Sequence, residues 1–100
     1  DVQLIKDVSN MRALQSMSAS FVGMCSDDDM KKQLQNLADE FKYSDPVSSE
    51  DTKELENELQ QMMKELQGAI IDSDMAAVKT LCMKVLAGLN ERNRVCKLGK

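Results

Sequence analysis

The stretch "SSEDTKELENELQQMMKELQGAII", residues 48–71, decides the fold. Its apolar residues recur at alternating spacings of three and four, the pattern of a helix packed against other helices. This seam consists of Thr52, Leu55, Leu59, Met62, Leu66 and Ala69. Ser48 or Ser49 can cap the helix, and acidic residues crowd the first turns, where the helix dipole favours them. The stretch therefore predicts one long amphipathic helix.

The same periodicity on both sides of this helix predicts three more helices. The expected buried positions are Leu4, Val8, Met11, Leu14, Met17, Phe21 and Met24 in the first, Met30, Leu34, Leu37 and Phe41 in the second, and Val78, Leu81, Val85, Leu89 and Cys96 in the fourth. Ser26 or Asp27 can cap the second helix, and Asp72, Ser73 or Asp74 the fourth. Because the connections are short, residues 1–100 are predicted to form a single all-α domain, a four-helix antiparallel up-down-up-down bundle.

Composition restricts the possible chemistry. The chain has 42% hydrophobic residues but only 3% aromatic ones, and it contains eight Met and no Trp, which predicts an aliphatic, Met-rich core. It has no His, so the commonest general base and metal ligand is missing. A net charge of −4 argues against a nucleic-acid partner. We therefore predict that the protein is not an enzyme and has no nucleic-acid partner.

The cysteines and the acidic run do not predict a metal site. Cys25, Cys82 and Cys96 form no C-x-x-C motif, so we expect reduced thiols and a cytoplasmic location, with one disulfide as the alternative. A calcium loop starting at Asp27 would need Gly and Glu where Lys32 and Ala38 stand. No cofactor or metal is predicted.

No apolar run reaches the length of a transmembrane span, so no membrane insertion is expected in this segment. The chain opens with Asp1 inside a periodic pattern, from which we expect a fragment of a longer protein. The general character of the sequence leads us to expect a bacterial or phage source.

The segment "KYSDPVSSED", residues 42–51, holds the chain's only Pro and only Tyr. It has a structural interpretation, because a residue before proline is disfavoured in the α region; Asp45 should therefore end the second helix and Pro46 begin a turn. It also has a functional interpretation. In the predicted topology this joint lies beside the end of the fourth helix, so Arg92 and Arg94 should come near Asp45. Such a cluster would form a recognition surface for a peptide or an anion.

The candidate binding residues are therefore Tyr43, Asp45, Asn90, Arg92, Asn93 and Arg94. The leading functional hypothesis is a non-enzymatic interaction or scaffold module that binds a protein partner or a second copy of itself, and its support includes the weakly charged polar face of the first helix. The alternative is a sensory bundle that binds a small ligand or an anion. Enzymatic candidates, a thiolate at Cys96 or Tyr43 with Asp45, are disfavoured because no His can assist them.

Overall fold

The computed structural model describes residues 7–99, and within them the chain forms four helices and no strand. The helices are α1 (Ser9–Met24), α2 (Asp28–Lys42), α3 (Glu50–Ile71) and α4 (Met75–Leu98). The prediction of an all-α four-helix bundle is confirmed. Leu4, which we placed on the buried face of the first helix, lies outside the described residues.

The connection between α2 and α3 crosses the bundle diagonally. α1 packs against α2 and α3, and α4 packs against α3 and α2, whereas α2 and α3 do not contact each other within residues 7–99. Asn10 in the first turn of α1 is hydrogen-bonded to Glu56 in the second turn of α3, so these two neighbours run in parallel. Successive helices are antiparallel as predicted, but the neighbours α1–α3 and α2–α4 are parallel pairs.

Two charged residues, Glu56 and Arg92, occupy core positions of α3 and α4. The buried seam of α3 follows Thr52, Glu56, Leu59, Met63, Leu66 and Ile70, and that of α4 follows Val78, Cys82, Val85, Leu89, Arg92 and Cys96. Both seams keep a strict alternation of four and three residues. Leu55, Met62 and Leu81, which the periodicity places on the buried faces, are only partly buried, although Met62 and Leu81 still pack against the core.

In α1, Met11, Leu14 and Phe21 are buried as predicted, but two other buried positions differ from the prediction by one residue. Ser18 and Cys25 are buried in place of Met17 and Met24, of which Met24 is 40% exposed. Ser18 tolerates burial because its hydroxyl donates to the carbonyl oxygen of Gln15, 2.9 Å away. In α2, by contrast, all the predicted buried positions are confirmed.

The helix ends follow local hydrogen bonding. Asp27 caps α2 and Asp74 caps α4, each accepting a backbone N–H three residues on. α2 ends at Lys42 and not at Asp45, so that prediction is wrong by three residues. The α3–α4 turn is a Schellman motif in which Ser73 adopts a φ of 54°, a conformation that favours glycine.

Candidate functional site

The guanidinium of Arg92 lies at the centre of the bundle end that holds the α2–α3 connection. The residue is fully buried, although it belongs to the last third of an otherwise amphipathic helix. Its Nε donates to Glu56 Oε2 at 2.8 Å, and its Nη2 donates to the carbonyl oxygen of Val47 at 2.9 Å. Its Nη1 donates to the carbonyl oxygen of Asp45 and to Asn93 Oδ1. Arg92 therefore holds the connecting segment, residues 43–49, against α4.

The carboxylate of Glu56 is the counter-charge of Arg92 and is equally buried, with 0% exposure of both side chains. Its second oxygen, Oε1, accepts from the hydroxyl of Ser48 at 2.6 Å and from the amide of Asn10 at 3.1 Å. Both carboxylate oxygens thus have donors, as a buried charge requires. The carboxylate links α1, the connecting segment, α3 and α4 at one point.

The surroundings of Glu56 favour its charged form. Burial raises the pKa of this carboxyl group, but hydrogen bonds from Ser48, Asn10, Arg92 and Thr52 lower it. The hydrogen bonds outweigh burial, so the pKa lies below its ordinary value of 4.5. Glu56 and Arg92 therefore form an ion pair at neutral pH.

Further hydrogen bonds close the connecting segment around this pair. Asn93 Nδ2 donates to Ser44 Oγ at 2.9 Å, and Ser44 Oγ donates to the carbonyl oxygen of Glu40 at 2.7 Å. The backbone N–H of Ser48 donates to the carbonyl oxygen of Asp7 at 2.8 Å, ahead of α1. We call this set the joint network. It comprises Asn10, Ser44, Ser48, Glu56, Arg92 and Asn93 with the carbonyl groups of Asp45 and Val47.

The six candidate binding residues are divided by this arrangement. Arg92, Asn93 and the backbone of Asp45 come together as expected. Arg94 instead pairs with Glu91 on the exposed side of its own helix, with Nε donating to Oε1 at 3.0 Å, and this hydrogen bond lowers the pKa of Glu91. Tyr43 is 80% exposed, and the Lys42 ammonium lies over its ring, 5.6 Å from the centroid.

Asn90 is also exposed and lies outside the joint network. The prediction that these residues bind a partner or an anion stays a prediction. Arg92 does not offer its guanidinium to a ligand, however, because the chain's own oxygens surround it.

Sequence reasoning missed Glu56, Ser48, Asn10 and Ser44 as members of this cluster. One signal was available for Glu56. Its spacing of four from Thr52 and three from Leu59 fits the heptad seam as well as the spacing of Leu55 does. A charged residue at such a position indicates a buried partner of opposite charge, and Arg92 stands at the corresponding position of α4.

A second feature is an apolar groove between the parallel helices α2 and α4, with a volume of about 430 Å³. It is lined by Gln33, Asn36, Lys79, Cys82, Met83 and Leu86. Of these residues, Cys82 is buried, Leu86 is partly buried and Met83 is 71% exposed. We call this feature the α2–α4 groove. It is separate from the joint network.

The described residues also restrict metal, thiol and membrane chemistry. Within residues 7–99, no group of three or more His, Cys, Asp and Glu side chains is placed to hold a metal ion. Cys25, Cys82 and Cys96 are free and buried, and burial raises the pKa of the Cys82 thiol. None of the helices formed by these residues has both the length and the apolar character of a transmembrane span.

Comparison with protein-family models, with curated proteins and with solved structures gives no match to this chain.

Proposed function

We propose that this chain is a non-enzymatic helical interaction module that binds a protein partner in the α2–α4 groove. The observation that carries the proposal is the position of Met83, a large apolar side chain 71% exposed beside a groove of about 430 Å³. Fully burying a Met side chain contributes about 1.5–3 kcal/mol, so covering Met83 would be a substantial part of a binding energy. Methionine also adapts its shape to different partners.

The location of the polar groups supports a binding role over a catalytic one. Glu56 and Arg92 are the buried charged residues of the described chain. Each is hydrogen-bonded to the other and to the connecting segment, so neither is available to a substrate. The three described thiols are buried. What the α2–α4 groove offers instead is apolar and amide contact area, which suits a partner protein. Buried, unpaired thiols also support a cytoplasmic location, and the net charge of −4 supports a partner other than nucleic acid.

The anion-binding alternative has lost its main support. It places an anion at the end of the bundle that holds Arg92 and Arg94, where the Arg92 guanidinium is fully buried. Arg94 is exposed, and it is already paired with Glu91.

Selection of peptides from a display library tests the proposal. The chain is the bait, and its Met83→Glu variant serves for counter-selection. The matched control is Leu98→Glu, because Leu98 lies on the same helix, is 72% exposed and does not line the groove. We expect enriched peptides that bind the chain and the Leu98→Glu variant but lose binding to the Met83→Glu variant. Failure to enrich any Met83-dependent peptide would contradict the proposal.

A second copy of the chain is the competing occupant. Light scattering over a concentration series detects such self-association as a molar mass above that of the monomer, 11.2 kDa. A dimer that dissociates on the Met83→Glu substitution would assign the groove to self-association, and it would overturn the proposal of a separate partner.

A further inference from the structure

The α2–α4 groove has a shape and a charge that restrict its partner. We propose that its occupant is an amphipathic α-helix of another protein that carries a carboxylate opposite Lys79. This inference rests on the proposed function above. It adds the secondary structure of the bound segment, its charge, and the residue of this chain that selects it.

The shape of the groove favours a helix. Lys79, Met83 and Leu86 follow one another on α4 at spacings of four and three, and Gln33 and Asn36 stand on α2 at a spacing of three. The groove walls are therefore ridges of two parallel helices, and a third helix can lay its own i, i+3/i+4, i+7 side chains between such ridges. An extended strand would find no unpaired backbone groups here, because both walls are helical.

The charge of the groove favours an acidic segment. Among the residues that line it within the described chain, Lys79 is the charged one, and it is exposed. Gln33 and Asn36 are neutral amides that can donate or accept hydrogen bonds. Although the chain has a net charge of −4, the six residues that line the groove include no carboxylate. A carboxylate beside Lys79 gains attraction, whereas a lysine there meets a like charge.

Lys79 is accordingly the residue that determines specificity, and Met83 is the residue that provides general affinity. The two contributions are separable by experiment. A change at Lys79 should alter which peptide is preferred, while a change at Met83 should weaken every peptide alike.

Three labelled 18-residue peptides test this inference by fluorescence anisotropy. The first carries an apolar i, i+3/i+4, i+7 stripe with Glu at both ends, so that either orientation brings a carboxylate to Lys79. The second has Lys in place of those Glu residues. The third has the composition of the first in an order without the stripe. The whole chain is titrated into each peptide.

We expect the acidic striped peptide to bind about two- to fivefold more tightly than the basic peptide, as an exposed ion pair allows, and at least tenfold more tightly than the reordered peptide. The Lys79→Glu variant should prefer the basic peptide, while Lys84→Glu should leave the preference unchanged. Lys84 is the matched control, since it is an exposed lysine of α4 that does not line the groove. Met83→Glu should weaken both striped peptides at least tenfold. Circular dichroism establishes that each variant retains the helical fold.

The inference is overturned if no striped peptide binds, if the reordered peptide binds equally, or if the acidic preference survives Lys79→Glu. These results differ from a failure of the proposed function. If display yields Met83-dependent peptides that are not helical or not acidic, the groove is an interaction site with another kind of partner. If display yields no Met83-dependent peptide, both the groove's role and this inference fail together.

Discussion

Removing one member of the buried Glu56–Arg92 pair should destabilise the fold far more than removing both. Each side chain is 0% exposed, so Glu56→Leu leaves the Arg92 guanidinium buried without its counter-charge. Breaking such a pair from one side costs about 3–5 kcal/mol. A domain of this size has a free energy of unfolding of about 5–15 kcal/mol, so either single variant loses a large part of the total.

The double variant Glu56→Leu/Arg92→Met should recover most of this loss. Replacing a buried ion pair by apolar side chains of similar size is often neutral, because the desolvation cost of both charges disappears. Here Ser48 and Asn10 lose their acceptor, each at about 1 kcal/mol, while the carbonyl groups of Asp45 and Val47 lose the guanidinium but are exposed enough to accept from water instead; we therefore expect a net loss of about 1–3 kcal/mol. Simple addition of the two single variants would instead give about 6–10 kcal/mol.

Urea unfolding followed by circular dichroism measures this cycle. The free energy of unfolding falls by about 1–3 kcal/mol per M of urea. A loss of about 3–5 kcal/mol in a single variant therefore lowers its urea midpoint by roughly 2 M. The exposed pair Glu91–Arg94 is the control, and its double removal should leave the midpoint unchanged. Single variants that lose less than about 1 kcal/mol, or a double variant equal to their sum, would refute the reasoning.

The same pair should give the protein an acid-sensitive stability. The pKa of Glu56 is lower in the folded chain than its ordinary value of 4.5, so its contribution is fully present above that pH. The contribution is lost as the pH falls through the lower folded value. The urea midpoint should thus decline below about pH 4.5, and the decline should be smaller in the double variant. An identical decline in both proteins would contradict this assignment.

Other changes follow from local geometry. Ser73→Gly should raise the free energy of unfolding by about 1 kcal/mol, because it relieves a left-handed conformation, and a lower melting temperature would count against the Schellman turn. Gly68→Ala, with open space at the new Cβ, should stabilise α3 by about 1 kcal/mol. Gly88→Ala should raise the melting temperature less than Gly68→Ala does, since its Cβ would lie 3.1 Å from side-chain carbons of α3. An equal rise would contradict the close packing at Gly88. Iodoacetamide at neutral pH should leave Cys82 and Cys96 unmodified in the folded chain and alkylate them in urea, as mass spectrometry would show.

Local signals were sufficient for much of the fold. Asp27 and Asp74 lie at predicted cap positions, and the buried face of α2 agrees residue by residue. These features depend on residues within a few positions of one another, where helical geometry relates sequence to space directly. The approach of Arg92 to Asp45 was also predictable, because alternating helix directions bring the joint and the end of α4 to the same end of the bundle.

The features that were missed depend on non-local contacts. Glu56 shares its helix with an apolar neighbour, Leu55, that fits the seam equally well in isolation. Only the position of Arg92, 36 residues further along the chain, decides which of the two is buried. Similarly, short connections predict which helices are antiparallel, but they do not determine that α2 and α3 lie diagonally. The α2–α4 groove follows from that diagonal placement and was therefore not predictable.

The diagonal connection also divides the bundle into two helical hairpins, α1–α2 and α3–α4, joined by residues 43–49. All contacts between the hairpins are between parallel helices, and none depends on both hairpins belonging to the same molecule. Two chains could exchange hairpins and re-form every one of these contacts if the connecting segment straightened. The hydrogen bonds from Arg92 to that segment hold it bent. Arg92 thereby favours the closed arrangement, in which both hairpins belong to one molecule.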